Sequence, residues 1–311
     1  GTVVFDATGN GGRIVFSGTG STFNAVTANA DDGIDVNADV RADTGDIVMG
    51  GDADNAADTS DAINIGLGVV IATTPGGGDI VMSAANGGIV GAGAITIDAN
   101  QDLVINDDIS APGIVGLFAG NLMTLNGTVM GNTVQLEGGN GITVGQNITS
   151  QSGEIRIDAD GDDDGTGTLV VDAGATLDSS NNDILLTAAD IQLDGQIDAG
   201  DGDLTIERSI DGTLGLGAGA GDMQLSGDEL SRISAERLNL GTRHFTLTTV
   251  DGVTAANTMN ILSGIALVTG DIDIAGGFEV ANGDLSITRA DDGTLGLGTA
   301  TGDMTISNDE L

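Results

Sequence analysis

The sequence predicts an all-β protein, a parallel β-solenoid built from coils of about 20 residues. A long internal repeat is the first observation behind this fold class. Residues 202–230 (GDLTIERSIDGTLGLGAGAGDMQLSGDEL) return as residues 283–311 (GDLSITRADDGTLGLGTATGDMTISNDEL), with 19 of 29 positions identical. Self-similarity at a fixed offset is typical of repeat architectures, in which each structural unit stacks on the next.

A shorter period inside the long repeat is the second observation. The element Gly-Asp-apolar-x-apolar occurs twice at the same spacing within each copy, and it begins at Gly202, Gly221, Gly283 and Gly302. One turn and one strand per step predict that the long repeat forms about four coils, with Leu204 and Leu285 both facing inward about four coils apart. A β-sandwich array is the competing fold, because its roughly seven strands fit within one long repeat. The short period favours the solenoid.

Short alternating segments are the third observation. Apolar and polar residues alternate in residues 34–40, 94–98, 154–158 and 272–274. Each segment is bounded by Gly, Asn or Asp, which is typical of half-buried strands separated by turns. Helix-like spacing occurs in residues 228–240, but Leu238-Asn239-Leu240 resumes the alternation. A turn and strands are therefore preferred there over a short helix.

One continuous domain is expected over residues 1–311, because no shift in composition divides the chain. An apolar content of 40% disfavours disorder. The second repeat copy stops at Leu311, whereas the first continues into residues 231–240, and a solenoid needs a terminal cap over its last apolar coil. We therefore expect a segment of a longer protein, whose uncovered coil ends promote self-association into fibres or lateral assemblies.

Composition and charge restrict the chemistry. The chain has no Cys, which excludes a disulfide framework and thiolate metal sites. A formal net charge of −39 disfavours nucleic acid and anionic membrane surfaces as partners, since both need clustered basic residues. No apolar run reaches the roughly 20 residues that cross a bilayer as a helix. Most of the 47 acidic residues are Asp, which suits tight turns; solubility in salt and divalent-cation binding are the alternatives.

Segments of the second half carry a family resemblance. Residues 159–169 (ADGDDDGTGTL), 174–177 (GATL) and 183–191 (DILLTAADI), with the GTLGLG and DEL elements of both repeat copies, resemble the repeats of very large bacterial surface exoproteins of the filamentous haemagglutinin type. The resemblance covers most of the chain from about Glu154 onward. It implies a right-handed parallel β-helix that is secreted to the cell surface, where it acts as an adhesin or a fibre.

A calcium loop is the clearest candidate site. The motif Asp160-x-Asp162-x-Asp164-Gly165 matches the opening of such a loop, in which carboxylates at positions 1, 3 and 5 point inward and Gly permits the sharp turn. The closing acid is missing, because its place is taken by Val171. Asp and Gly are also ordinary turn residues, which is the alternative explanation. The predicted calcium ligands are Asp158, Asp160, Asp162 and Asp164.

Two other groups of ionisable residues are weaker candidates. A second acidic stretch is expected to be a solvated loop, and it comprises Asp52, Asp54, Asp58 and Asp61. The lone His244 is expected at the surface or at an edge, since one His builds no multi-His metal site and no nucleophile motif adjoins it.

Half of the positive charge is concentrated in a short segment. Four of the eight arginines fall there: Arg208, Arg232, Arg237 and Arg243. They could bind a carboxylated glycan, because guanidinium groups pair with carboxylates in bidentate fashion. Local pairing is preferred, with Glu207, Glu229 and Glu236 as the partners.

Two classes of function follow from these features. The favoured one is an extracellular structural or adhesive rod that contacts a glycan or protein receptor on a cell surface, with no catalytic residues. The rival is a polysaccharide lyase or hydrolase on the same scaffold, which would need a groove with clustered bases, paired carboxylates or calcium, and aromatic platforms. Ice binding would need ranks of Thr-x-Thr on one flat face, and the sequence has only isolated examples such as Thr246-Leu247-Thr248.

Overall fold

The computed structural model of the chain describes residues 1–57 and 60–307. Asp58 of the second acidic stretch and residues 308–311 of the second repeat copy lie outside the described residues. The chain divides into two compact units, Gly1–Gly153 and Glu154–Leu311. In each unit, neighbouring strands run parallel.

Twenty short strands form the described part of the first unit. They are β1 Thr2–Ala7, β2 Ile14–Phe16, β3 Ser21–Phe23, β4 Ala25–Ala30, β5 Ile34–Val36, β6 Val40–Ala42, β7 Ile47–Gly50, β8 Ile63–Ile65, β9 Val70–Thr73, β10 Ile80–Ser83, β11 Ile89–Gly91, β12 Ile95–Ala99, β13 Leu103–Ile105, β14 Ile109–Ser110, β15 Ile114–Ala119, β16 Leu122–Leu125, β17 Val129–Gly131, β18 Thr133–Gly138, β19 Gly141–Val144 and β20 Ile148–Ser150.

Each coil of the first unit contributes one strand to each of three parallel sheets. The strand orders within this unit are β1-β4-β7-β10-β13-β16-β19, β2-β5-β8-β11-β14-β17-β20 and β3-β6-β9-β12-β15-β18. Every strand pairs with the strand three places further along the chain, so the chain winds around a core instead of returning in hairpins. This winding is that of a right-handed parallel β-helix, the hand that parallel crossovers almost always take.

Columns of branched apolar side chains fill the core of the first unit. One column consists of register partners on successive coils: Ile34, Ile63, Ile89, Ile109, Val129 and Ile148. All six are fully buried. Alternation along the strands produces the column, because every second side chain of a strand points inward. Each such side chain contributes about 1.5–3 kcal/mol relative to an exposed one.

Coil length is regular except where residues are inserted at a turn. Val26 pairs with Ile47, and Ile80 pairs with Leu103, which are steps close to the expected coil length. The step from Ile47 to its partner Ile80 is distinctly longer, because additional chain lies between β7 and β8. The strands on both sides of this insertion keep their register, so the core is independent of turn length.

The second unit contains seventeen strands and one helix among its described residues. They are β21 Ile155–Asp158, β22 Thr168–Val171, β23 Thr176–Asp178, β24 Ile184–Thr187, β25 Asp190–Leu193, β26 Gln196–Asp198, β27 Leu204–Glu207, β28 Gly212–Gly217, β29 Met223–Leu225, α1 Gly227–Leu230, β30 Ile233–Ser234, β31 Leu238–Leu240, β32 Phe245–Asp251, β33 Gly264–Thr269, β34 Ile272–Ile274, β35 Asp284–Arg289, β36 Leu295–Leu297 and β37 Met304–Ile306.

The sheets of the second unit continue the same coil pattern with one addition. Six strands stack in the order β21-β24-β27-β31-β33-β35, beside β22-β25 and β23-β26-β30. A further sheet, β29-β28-β32-β34, and the pair β36-β37 lie outside this pattern. We call β28, β29, β36 and β37 the side strands, because they pair with each other within each repeat copy.

The long repeat spans three coils rather than the four predicted. Leu204 pairs with Leu238, Leu238 with Ile265, and Ile265 with Leu285, in three steps of decreasing length. Leu204 is fully buried, as expected, whereas Leu285 is only half-buried. The prediction of four coils is wrong because it assigned every Gly-Asp-apolar-x-apolar element to the same sheet.

The second such element of each copy is a side strand instead. Met223 in β29 pairs with Leu214 in β28, and Met304 in β37 pairs with Leu295 in β36. The long step from β27 to β31 contains β28, β29 and α1. The short period therefore connects strands of two different sheets that have the same alternation, and Met223 is as fully buried as Leu204.

The structural repeat also begins upstream of the predicted starts. The carboxylate Oδ1 of Asp190 accepts a hydrogen bond from the Gln224 backbone N–H at 3.1 Å, and Oδ1 of Asp271 accepts one from the Thr305 N–H at 3.3 Å. The two pairs are related by the same offset as the sequence repeat. Strands β25 and β34 are therefore equivalent, and the segments 190–193 (DIQL) and 271–274 (DIDI) share their first two residues.

Helix α1 is held by a capping box. The Ser226 hydroxyl accepts from the Glu229 N–H at 3.2 Å, and the Glu229 carboxylate accepts from the Ser226 N–H at 2.8 Å. The second oxygen of Glu229 accepts from the Leu193 N–H at 3.0 Å, which fixes the helix to β25. The preferred turn and strands over residues 228–240 are confirmed from Ile233 onward, and only the single helical turn departs from that prediction.

Candidate functional site

The predicted calcium loop lies between β21 and β22. Oxygen atoms of Asp160, Asp162 and Asp164 lie within 4.8 Å of one another. Asp158, the fourth predicted ligand, is not in this group; it ends β21, and its Oδ1 accepts from the Asp160 N–H at 3.3 Å. The structure therefore brings together three of the four predicted ligands.

Asp160 is a buried anchor of the loop. It has no exposed surface, and its carboxylate accepts from the backbone N–H groups of Gly165 at 3.0 Å and Gly167 at 3.4 Å. The Ser209 hydroxyl donates to Oδ2 of Asp160, the oxygen that accepts from Gly165 at 3.0 Å, and this bond ties the loop to the segment after β27. A Cβ on Gly167 would lie 1.8 Å from the Ala159 carbonyl oxygen, so only Gly permits this close approach.

Asp162 and Asp164 are exposed at the outer side of the loop. Oδ1 of Asp164 accepts from the Thr166 N–H at 2.9 Å and from its hydroxyl at 2.6 Å, which is a local Asx turn. Carboxylate oxygens are the ligands that calcium prefers, and it takes six to eight oxygens in all. The three clustered groups could supply part of that shell, and calcium binding here stays a prediction.

A cleft of about 460 Å³ adjoins this loop on the outer face of the second unit, and we call it the arginine cleft. Its lining comprises Arg156, Asp158, Asp163, Thr187, Glu207, Arg208, Ser209, Thr242, Arg243 and His244. Asp158, Thr187 and Glu207 form the floor of the cleft. The strand register places them side by side, because they are pairing partners at the carboxyl ends of β21, β24 and β27. Parallel strands place equivalent positions side by side, and this gathers residues that are distant in sequence.

Three of the eight arginines of the chain line this cleft. Arg156 projects outward from β21 between the buried Ile155 and Ile157, and it is exposed. Arg208 is only 6% exposed and donates to the carbonyl oxygens of Ala189 and Ile210, so it is used in holding the backbone. Arg243 is exposed.

His244 connects Arg243 to an acid. The Arg243 Nε–H donates to His244 Nε2 at 3.1 Å, and His244 Nδ1 lies 3.0 Å from Asp211 Oδ1. A guanidinium can only donate, so His244 Nε2 is the acceptor of this hydrogen bond, and Nδ1 faces the Asp211 carboxylate. His244 lies at the edge of the cleft with 23% of its side chain exposed, in keeping with the expected surface or edge position.

The preferred pairing of the clustered arginines with glutamates is wrong. Arg232 donates to the Leu193 carbonyl oxygen at 2.7 Å and Arg237 to the Ser263 carbonyl oxygen at 3.3 Å. Among the described residues, the ion pairs of arginine are Arg13–Asp35 and Arg41–Asp39. The physical reason is that coil corners leave carbonyl groups outside the strand ladders, and buried carbonyl groups must find donors.

The second acidic stretch caps turns of the first unit. Asp52 accepts from the Asn86 side-chain amide at 2.6 Å, and Asp54 accepts from the Ala56 N–H at 2.9 Å. Asp61 is only 3% exposed, so the expectation of a fully solvated loop is wrong at that residue. Asp52 and Asp54 therefore act as turn residues, the role that Asp commonly has.

A second cleft, of about 280 Å³, shares Arg243 with the first. Phe245, Arg289 and Asp303 are among its lining residues. Arg289 donates to the carbonyl oxygens of Asp291 and Asp292, at 3.0 and 2.5 Å, so one Nη is engaged with the backbone. The two clefts meet at Arg243, and both linings mix arginines with acidic residues.

By its fold, the chain is a β-helical repeat protein. Comparison with family models, curated proteins and solved structures finds no match. The resemblance to filamentous haemagglutinin-type exoproteins therefore depends on the repeat motifs and the fold. Within the described residues, no helix has both the length and the apolar character needed to cross a bilayer.

Proposed function

We propose that this chain is a structural and adhesive segment of a secreted bacterial surface protein. The observation that carries the proposal is the coil-by-coil regularity of the β-helix, in which the inward columns are apolar and the turns are bound to each other. A scaffold of this kind holds surface residues at fixed positions, which suits display better than a mobile surface would.

Cross-coil hydrogen bonds at the turns support this role. Asp102 Oδ1 accepts from the Asn121 side-chain amide at 2.6 Å and from the Leu122 N–H at 3.1 Å. Asn121 in turn accepts from the Asn140 side-chain amide at 2.9 Å. These bonds join three successive coils outside the strand ladders. They resist separation of coils, and this is the property that a load-bearing surface protein requires.

Adhesion of coated beads tests the proposal. Beads that carry the chain should be retained on cell layers and matrix-coated surfaces above the level of beads that carry an unrelated protein of equal net charge. The charge-matched control is necessary because a net charge of −39 alone produces long-range electrostatic effects. Retention equal to the control on every surface, at physiological salt, would contradict an adhesive role.

A second candidate function is favoured by the arginine cleft. Arg156, His244 and Glu207 converge there, and an acidic-polysaccharide lyase or hydrolase would use groups of these types as base, acid and carboxylate binder. Incubation with uronate polysaccharides would reveal a lyase by new unsaturated ends and a hydrolase by new reducing ends. Product formation that is abolished in the Arg156→Gln variant would favour the enzyme over the adhesin.

A further inference from the structure

The arginine cleft contains two guanidinium groups with donors that the protein does not use. Arg156 has no hydrogen-bond partner and no ion pair among the described residues, although it is flanked by buried strand residues that fix its backbone. Arg243 uses Nε to contact His244, and its two Nη groups have no partner in the described part of the chain. Planar guanidinium groups of this kind bind carboxylates through two parallel hydrogen bonds.

The position of these cations is informative because positive charge is scarce. The chain has 8 arginines, no lysine and 47 acidic residues. Arg208, which lines the same cleft, is held by the backbone and adds a third positive charge beneath the surface. The lining of the cleft, in which three arginines face three carboxylates, is far less acidic than the chain as a whole, so it admits a single anionic group while the surrounding charge repels a dense polyanion.

The acceptors of the cleft select for a ligand with hydroxyl groups. Asp158 and Asp163 line the cleft beside Arg156, and Glu207 accepts from the Thr242 hydroxyl at 2.7 Å with one oxygen. Carboxylates beside an anion-binding arginine disfavour a second anion but accept hydrogen bonds from alcohols. A saccharide with one carboxylate and several hydroxyls presents both kinds of group, whereas a peptide carboxyl terminus presents few alcohols.

We propose that the arginine cleft binds the carboxylate of a sparsely charged acidic saccharide, with Arg156 and Arg243 on the carboxylate and the cleft acids on neighbouring hydroxyls. This inference names the ligand class of the proposed adhesive function and depends on that function for its biological role. The volume of about 460 Å³ accommodates one or two sugar rings, within the range of ordinary ligand sites.

Binding of a uronate oligosaccharide to the full chain tests the proposal. The probes are a disaccharide of one glucuronate and one neutral hexose, its carboxyl-reduced neutral counterpart and a tripeptide with a free carboxyl terminus, measured by titration calorimetry at constant ionic strength. The glucuronate disaccharide should bind, and the other two should bind at least about tenfold more weakly, because a charged hydrogen-bond pair is lost or the hydroxyls are missing. Equal affinity for the neutral saccharide or for the tripeptide would overturn the assignment, as would the absence of binding at millimolar uronate.

Variants localise the binding. Arg156→Gln with Arg243→Gln should raise the Kd for the uronate at least about tenfold. Arg13→Gln with Arg41→Gln removes the same charge from the first unit and should leave the Kd unchanged. Unchanged circular dichroism and Tm show that the variants fold. If the double cleft variant keeps the wild-type Kd, the cleft is not the site; if beads carrying it still adhere, the adhesive role stands on another surface.

Discussion

Thr213 and Asp222 form a closed ring of three hydrogen bonds. The Thr213 N–H and hydroxyl both donate to Asp222 Oδ2 at 2.9 Å, and the Asp222 N–H donates back to Thr213 Oγ1 at 2.9 Å. Thr294 and Asp303 reproduce this ring at 2.9, 2.9 and 3.1 Å in the second repeat copy. The ring closes the turn between the side strands, so the two copies share a tertiary contact as well as a sequence.

Removing the hydroxyl from the ring should destabilise the side strands. Thr213→Val deletes two of the three hydrogen bonds and should cost about 1–2 kcal/mol in the free energy of unfolding, at about 1 kcal/mol per bond. Urea unfolding measures this loss. Thr96→Val, at an outward strand position, is the control and should change little. A Thr213→Val variant as stable as the control would show that the ring is incidental.

The ring should also make stability depend on acid. Hydrogen bonds from the Thr213 backbone and hydroxyl lower the pKa of Asp222 below its ordinary value. Because the folded-state pKa is the lower one, the stabilisation is present above the unfolded pKa of about 3.9 and is lost as pH falls through the folded pKa. The difference in urea midpoint between wild type and Asp222→Asn should therefore shrink below about pH 3.9. A difference that stays constant down to pH 2 would contradict this assignment.

Asp190 should show the opposite dependence. Burial raises its pKa, against the opposing effect of the hydrogen bond from the Gln224 N–H. The folded state then holds its proton to higher pH than the unfolded state, so stability falls as pH rises from about 3.9 through the raised folded pKa. Asp190→Asn keeps an oxygen acceptor and removes the charge. It should raise the urea midpoint at pH 7 and not at pH 3, and a lower midpoint at pH 7 would show that the charge is needed.

Calcium should stabilise the wild-type chain through the acidic loop. Binding to the folded state in preference to the unfolded state raises Tm, and the increase grows with free calcium. Asp162→Asn with Asp164→Asn removes two exposed ligands and should abolish the increase without disturbing the buried Asp160. Asp172→Asn with Asp201→Asn is the charge-matched control, and ionic strength is held constant because salt screens repulsion. Equal calcium responses in all three proteins would identify the loop as a charged turn.

In this chain taken by itself, the first strand should promote self-association. Among the described strands β1 pairs with β4, and Val4 on β1 is 62% exposed. Unpaired strand edges with apolar side chains add further strands unless a charge blocks them. Val4→Lys should lower the weight-average mass in sedimentation at high concentration, whereas Leu67→Lys, a substitution at another exposed apolar residue outside the strands, should not. A strictly monomeric wild type would rule out this edge as an assembly surface.

The fold class could be predicted from sequence because alternation and repeats are local signals. Side-chain alternation at residues such as Ile155 and Ile157 gives the same pattern whether a strand belongs to the long parallel sheets or is one of the side strands. For that reason the pattern predicts Met223 in the sheet that contains Leu204, although it lies in a different sheet, and the predicted number of coils is wrong. Periodicity identifies strands, whereas pairing partners depend on contacts that the pattern does not contain.

The candidate site was predictable only in part. The Asp160 motif is contiguous, so the sequence located three clustered carboxylates. The arginine cleft was missed because Arg156 and Arg243 are far apart in sequence, and strand register is what brings them to one face. The ion pairs expected for Arg232 were wrong, since proximity in sequence to a glutamate says nothing about which carbonyl groups the coil corners leave without donors.

The independence of core register from turn length has a consequence for how such a chain can change. The insertion between Ile47 and Ile80 leaves both flanking strands paired. Leu204 and Leu238 also stay paired, although the chain between them forms β28, β29 and α1. A foreign sequence inserted at one of these turns would therefore be held at a defined coil, because the strands on both sides of it stay paired. Turn sequences can change in this way during evolution while the core residues stay the same. For the same reason, an epitope or an enzyme loop can be introduced at a turn by design.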